Sequence, residues 1–298
     1  MELHIKSKKV TRRQLYFERF DSIEPKELVF VAEDVLYDEQ GRILQSLTFA
    51  QENILEEKVV KSYNNNTITT EYYIDENEIS EKTVIETDSE GKILTESIHY
   101  ADGTVSTSTW TYENNKPVSK ITIDIDEDEQ SGIHNWYYDA AGNLEKEQAF
   151  EYGEMVLSNE WSYNEAGNVV SMKSFISGEP GYSTEAIEYE GDRIVKVVKT
   201  DPHGNAETHN YSHNEHGNIV LVKYESERHI SETAIEYNAE NNPTHELETR
   251  EDDEVLYEIT RVYNPETKLV VSSAVFINRL GDAPDIRYTL EYNYEFFR

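Results

Sequence analysis

The sequence predicts an all-β fold, an elongated, curved or superhelical antiparallel meander of about ten 25-residue β-hairpin repeats. Three observations predict it. A tyrosine-centred motif recurs every 24–29 residues from Tyr37 to Tyr292. Two turn signals fall within each period. The segments between them are short and β-rich, too short for crossover helices.

The repeat is plainest where YDAAGNLEKEQAF, from Tyr138, is followed 25 residues later by YNEAGNVVSMKSF, from Tyr163. Traced outward, the anchors are Tyr37, Tyr63, Thr87, Tyr112, Tyr138, Tyr163, Tyr189, His213, Tyr237, Tyr263 and Tyr292, each followed by Asp, Asn or Glu. A period of this length sustained over ten units marks a repeat architecture. Domain organisation follows from it: residues 1–36 form an N-terminal cap segment and residues 37–298 the hairpin array.

Each unit has its own internal logic. Gly41, Gly91, Gly142, Gly167 and Gly217 stand four residues after their anchors, where a tight turn requires positive φ, and the intervening Asp or Asn can bond its own backbone. Midway through the units lie second polar breaks, AQEN at Ala50, YADG at Tyr100, EYGE at Glu151, DPHGN at Asp201 and EDDE at Glu251. Two turns per unit mean two strands per unit.

Alternation along a strand identifies the buried side. Two residues before the anchors stand Val35, Lys61, Ile85, Trp110, Trp136, Trp161, Ile187, Tyr211, Ile235, Arg261 and Leu290, and this column contains all three tryptophans of the chain. Such a ladder is expected to be core, with neighbours packing on one another, before it is read as a ligand platform. Some twenty strands at roughly 4.8 Å each would make a flat sheet about 95 Å wide, and twist does not allow a sheet of that width to stay flat.

The units beginning Tyr37-Asp-Glu-Gln-Gly-Arg-Ile-Leu, Tyr138-Asp-Ala-Ala-Gly-Asn-Leu and Tyr163-Asn-Glu-Ala-Gly-Asn-Val resemble the YD repeats of RHS proteins, and the resemblance covers nearly all of the chain after residue 36. It implies a meandering sheet that winds into a spiral, which in large members encloses a toxic payload. This chain shows no toxin or self-cleavage domain. Tyr63-Asn-Asn-Asn-Thr, Tyr237-Asn-Ala-Glu-Asn and Tyr263-Asn-Pro-Glu-Thr lack the glycine, so their turns are expected to differ.

Charge narrows the function. Sixty acidic and 27 basic residues give a net charge of −33, and residues 1–36 hold seven of each sign, so the acidic excess lies wholly in the array. That field repels nucleic acid and anionic membranes and selects a basic partner. Without cysteine there is no disulfide or thiolate chemistry. No secretory signal and no apolar run of about 18 residues occurs, so a cytoplasmic protein with no membrane partner is expected.

No catalytic signature emerges. Nucleophile elbow, Walker loop and dinucleotide fingerprint are absent, so no enzyme, no catalytic residue and no cofactor is expected. Five of nine histidines fall between His203 and His229, but without a recognised ligand spacing. The acidic run from Asp124 fails as a calcium loop, with Glu129 where glycine is needed and Asn135 where glutamate is needed. No metal site is assigned.

The resulting expectation is a non-enzymatic acidic protein-binding module, specifically a cytoplasmic immunity protein neutralising a cognate basic toxin domain. Its partner-binding candidates are the hairpin tips at Asp124, Asp126 and Asp128 and at Glu251, Asp252 and Asp253. The alternative is a structural or adhesive fragment of an RHS-type shell or surface protein, binding carbohydrate. The charge has a plainer explanation too, as a device that keeps an exposed sheet soluble and its edges unpaired.

Overall fold

The structure, a computed structural model, describes residues 4–16, 26–124, 129–279 and 284–298. Twenty-two strands belong to one sheet, and each pairs antiparallel wherever its register is given. The only other regular element among the described residues is a single 3-10 turn at Gln51–Asn53, on the AQEN break. The chain divides into two compact units, the first comprising Met1–Ser62, Thr70–Ser80 and Ser231–Arg298, the second Tyr63–Thr69 and Glu81–Ile230.

In the first unit, β18 (Ile230–Tyr237), β19 (Pro243–Arg250), β20 (Val255–Tyr263), β21 (Val270–Ile277) and β22 (Ile286–Phe296) pair in succession. Next to β22 lies β1 (Ile5–Tyr16), followed by β2 (Lys26–Tyr37), β3 (Ile43–Phe49) and β4 (Leu55–Asn64). Residues 1–36 thus supply β1 and all but the last residue of β2.

The pairing of β1 with β22, running from Ile5 opposite Phe296 to Leu15 opposite Arg287, corrects the expected open array. The first and last strands hold one another, and the 22-stranded sheet closes into a β-barrel. The physical reason is edge satisfaction: an open meander would leave two rows of unpaired backbone groups, and closure removes both. An elongated or superhelical solenoid is excluded.

The same closure overturns the expected cytoplasmic address. That expectation rested on the lack of a secretory signal and of a long apolar run, and among the described residues no helix is indeed long and apolar enough to cross a membrane. Such a criterion sees helices only, whereas a closed antiparallel sheet is the architecture with which strands cross outer membranes.

The second unit is a consecutive meander from β6 (Ile79–Thr87) to β17 (Ile219–Ser226). Its hairpins follow the period read from the sequence. At Asp139, Asn164 and Asn214 the chain makes a three-residue loop in which the glycine N–H donates to the carbonyl of the Asp or Asn at 3.0 Å. The glycines there have φ of 82–87°. This is a type I turn completed by a left-handed residue, a standard three-residue hairpin.

The register shifts at the anchor itself, between Tyr137 and Tyr138, Ser162 and Tyr163, and Ser212 and His213. The bulge staggers the hairpins. Trp110 lies opposite Lys120, Lys120 opposite His134, and Trp136 two residues further on. A stagger of one residue per strand, about 3.3 Å against a 4.8 Å strand spacing, inclines the aromatic column by about 35°, within the range of strand tilts in barrels.

The glycine-free turns divide. Asn241 takes φ 62° and its N–H donates to Asn238 O at 3.0 Å, so Tyr237 opens the same turn as its glycine-bearing siblings, contrary to expectation. Asparagine tolerates the left-handed region because its short side chain bonds locally. The other two turns do differ: Tyr63 is followed by a two-residue turn at Asn65, and the Tyr263 loop is one residue longer, with Lys268 at φ 61°.

The aromatic-column face carries the buried apolar side chains. Val10, Phe30, Val35, Val59, Ile259 and Val275 lie on it in the first unit and Val197 in the second, with Val35 only 2% exposed. In β14 (Tyr182–Glu190) the alternation is strict, the face bearing Ile187 half-buried and the opposite face exposed. The tryptophans themselves are half-buried rather than deep core, because a single sheet layer covers only one side of each ring.

Candidate functional site

The predicted tips are placed in different ways. Asp124 ends β9 (Lys116–Asp124), half-buried, and its Oδ2 accepts a hydrogen bond from Tyr152 Oη at 3.4 Å. Asp126 and Asp128 lie outside the described residues. Glu251, Asp252 and Asp253 are exposed at the β19–β20 turn of the first unit. Asp253 stands at φ 63° and its N–H donates to Arg250 O at 3.0 Å, so it shapes the turn as well as charging it.

The histidine-rich stretch is drawn together only in part. His203 and His216 sit in turns, their N–H groups donating to Asp201 and Asn214 side chains. His209 and His229 flank Tyr224, with ring centroids 5.0 and 4.9 Å away. Among the described residues no three His, Asp or Glu side chains converge as metal ligands would.

Around Tyr224 the aromatic face of the second unit opens into a groove of about 580 Å³. It runs across β14, β15 (Arg193–Thr200), β16 (Ala206–His213) and β17. Register places Glu185, Lys199, Glu207 and Ser226 directly opposite one another in one row. All four line the groove, with Tyr224 and Arg228 beside them.

Glu207 is the most firmly held of these charges. Tyr224 Oη donates to its Oε2 at 3.2 Å, and His209 Nε2 stands 3.5 Å from Oε1 without meeting hydrogen-bond geometry. That nitrogen is buried and has no hydrogen-bond partner. Nearby, burial and then the charge of Glu185 hold the Tyr211 phenol above its ordinary pKa. Such a groove can bind charged groups of both signs. Sequence reasoning missed it because the row exists only through register, and the bulges that set register are not written as spacing.

Polar groups also interrupt the aromatic column. Glu147 accepts from Asn159 Nδ2 at 2.6 Å and approaches His134 Nε2 at 3.4 Å, while His134 stacks on Trp136 at 4.3 Å. Arg261 pairs with Glu246 in the first unit.

No family model matches the chain, and no curated protein matches it. Among solved structures it is similar to a porin-like protein from Bacteroides uniformis ATCC 8492, at 10% identity and TM-score 0.37, covering 98% of each chain. The TcdB2-TccC3 structure is matched at 10% identity and TM-score 0.33, over 96% of this chain and 21% of that one. A porin-like protein from Bacteroides vulgatus ATCC 8482 is matched at 11% identity and TM-score 0.26, over 89% of this chain and 100% of that one.

Proposed function

We propose that the protein is a non-enzymatic acidic binding protein that captures a basic polypeptide, with neutralisation of a cognate toxin domain, as an immunity protein, its sharpest form. The observation that carries this reading is the charge of −33, with its excess confined to residues 37–298. The exposed turn at Glu251, Asp252 and Asp253 supports it, since carboxylates at a tip meet an approaching cationic surface first.

The test begins with capture of the partner from the native source and its identification by mass spectrometry. The association rate then falls steeply with salt, because steering is screened over a Debye length of about 8 Å at physiological ionic strength. Neutralising the tip as Glu251→Gln, Asp252→Asn and Asp253→Asn slows association, and asparagine at 253 keeps the left-handed turn. An association rate indifferent to salt and to the triple substitution leaves the acidity as a solubility device.

Closure of the sheet favours a second reading, a barrel seated in an outer membrane. Against it stand the charges on both faces: Glu147, Glu185 and Lys199 on one, Lys146, Lys173 and Lys196 on the other. A lysine facing lipid at mid-bilayer costs about 2–4 kcal/mol. Membrane fractionation with carbonate extraction decides, an integral barrel staying in the pellet.

A further inference from the structure

In the groove the row Glu185, Lys199, Glu207 alternates negative, positive, negative at a spacing of about 4.8 Å. Opposite charges so placed ordinarily pair across strands, as Lys146 does with Glu160 at 3.1 Å and Lys196 with Glu188 at 3.2 Å. Lys199 forms no such pair with either neighbouring glutamate. Glu207 is held instead by the Tyr224 hydroxyl, with His209 beside it. A carboxylate fixed by a neutral phenol keeps its charge for an incoming cation, and an unpaired ammonium between two carboxylates keeps its own for an anion.

We propose that this groove docks a short polypeptide segment whose side chains alternate in the complementary sense, basic, acidic, basic. The basic groups sit on Glu185 and Glu207 and the acidic one on Lys199. The groove's volume is in the range of pockets that enclose small ligands. At its side Tyr224, whose hydroxyl proton goes to Glu207, keeps an oxygen lone pair to accept a peptide N–H. The proposal rests on the reading of the protein as a polypeptide binder but not on the 251–253 tip.

The experiment titrates the protein with end-blocked pentapeptides that carry Lys-Glu-Lys, Lys-Ala-Lys or Glu-Lys-Glu at alternate positions with glycine between them, so that all three side chains share one face of the extended peptide, followed by NMR. Bulk attraction to so acidic a protein favours Lys-Ala-Lys, which carries the larger positive charge. The groove reverses that order. Lys-Glu-Lys binds tighter by up to about fivefold, the size of one exposed ion pair, with shifts confined to β14–β17. Lys199→Met abolishes the preference, and Glu207→Gln weakens both basic peptides.

Binding that simply follows peptide charge, a preference that survives Lys199→Met, or shifts outside these strands overturns the proposal. Because the acidic tip is untouched, failure here leaves salt-steered capture standing, and loss of capture in the tip variant leaves peptide binding intact.

Discussion

The hydroxyl of Tyr163 donates to the main-chain carbonyl of Leu144 at 2.7 Å, from one hairpin to the residue that opens the outgoing strand of the hairpin before it. The same bond joins Tyr138 to Pro117, Tyr189 to Val169 and Tyr263 to Pro243, at 2.9–3.0 Å. The anchor tyrosine therefore packs its ring on the buried face and uses its polar end to satisfy a carbonyl beside the preceding bulge.

Removing that hydroxyl alone tests the role. Tyr163→Phe keeps the ring and is expected to lower stability by about 1 kcal/mol, the net value of one such bond. Urea unfolding measures it, with the midpoint falling and the slope unchanged.

Turn geometry predicts a contrast at one position. Asn241, at φ 62°, should accept glycine with little loss, whereas Asn241→Ala should cost about 1–2 kcal/mol, the penalty of a side chain without local bonding in left-handed backbone. The comparison of the two variants under the same denaturant is the measurement.

Acid should weaken particular turns. The Asp139 carboxyl lies below its usual pKa because the Asn143 side chain and then its N–H donate to it, and Asp88 lies low through the N–H of Lys92. A carboxyl held low in the folded state stabilises above its unfolded pKa, and the contribution is lost as pH falls through the folded value. Asp139→Asn should remove the Asp139 part of that dependence without opening the turn, because Asn164 accepts the same pattern of bonds from Ala166 and Asn168. Unfolding followed between neutral pH and about pH 3 checks it.

Closure predicts the consequence of its loss. Deleting β1 exposes the edges of β2 and β22, each of which it pairs over ten residues. The truncated chain is expected to associate through those edges, seen as concentration-dependent oligomers in light scattering, while the intact chain presents no such edge. A truncated chain that stayed monomeric would contradict the assigned role of β1.

Period, hairpin count, turn positions and buried face were legible in the sequence because each depends on residues close together: a tyrosine, an Asp or Asn next to it, a glycine four on. Val35, expected in the buried column, is among the most buried side chains. Asn241 was misread from its residue type alone, although its neighbours impose the same turn. Three things only the tertiary structure decided. Closure of the sheet depends on Ile5–Leu15 meeting Arg287–Phe296, a pairing of the chain's two ends that no repeat unit encodes. The address inferred from composition fell with that closure, since strands satisfy their backbone through partners that no hydropathy window sees. The Glu185, Lys199, Glu207 row depends on register, and one residue of slip at a single bulge would send those side chains to the opposite face.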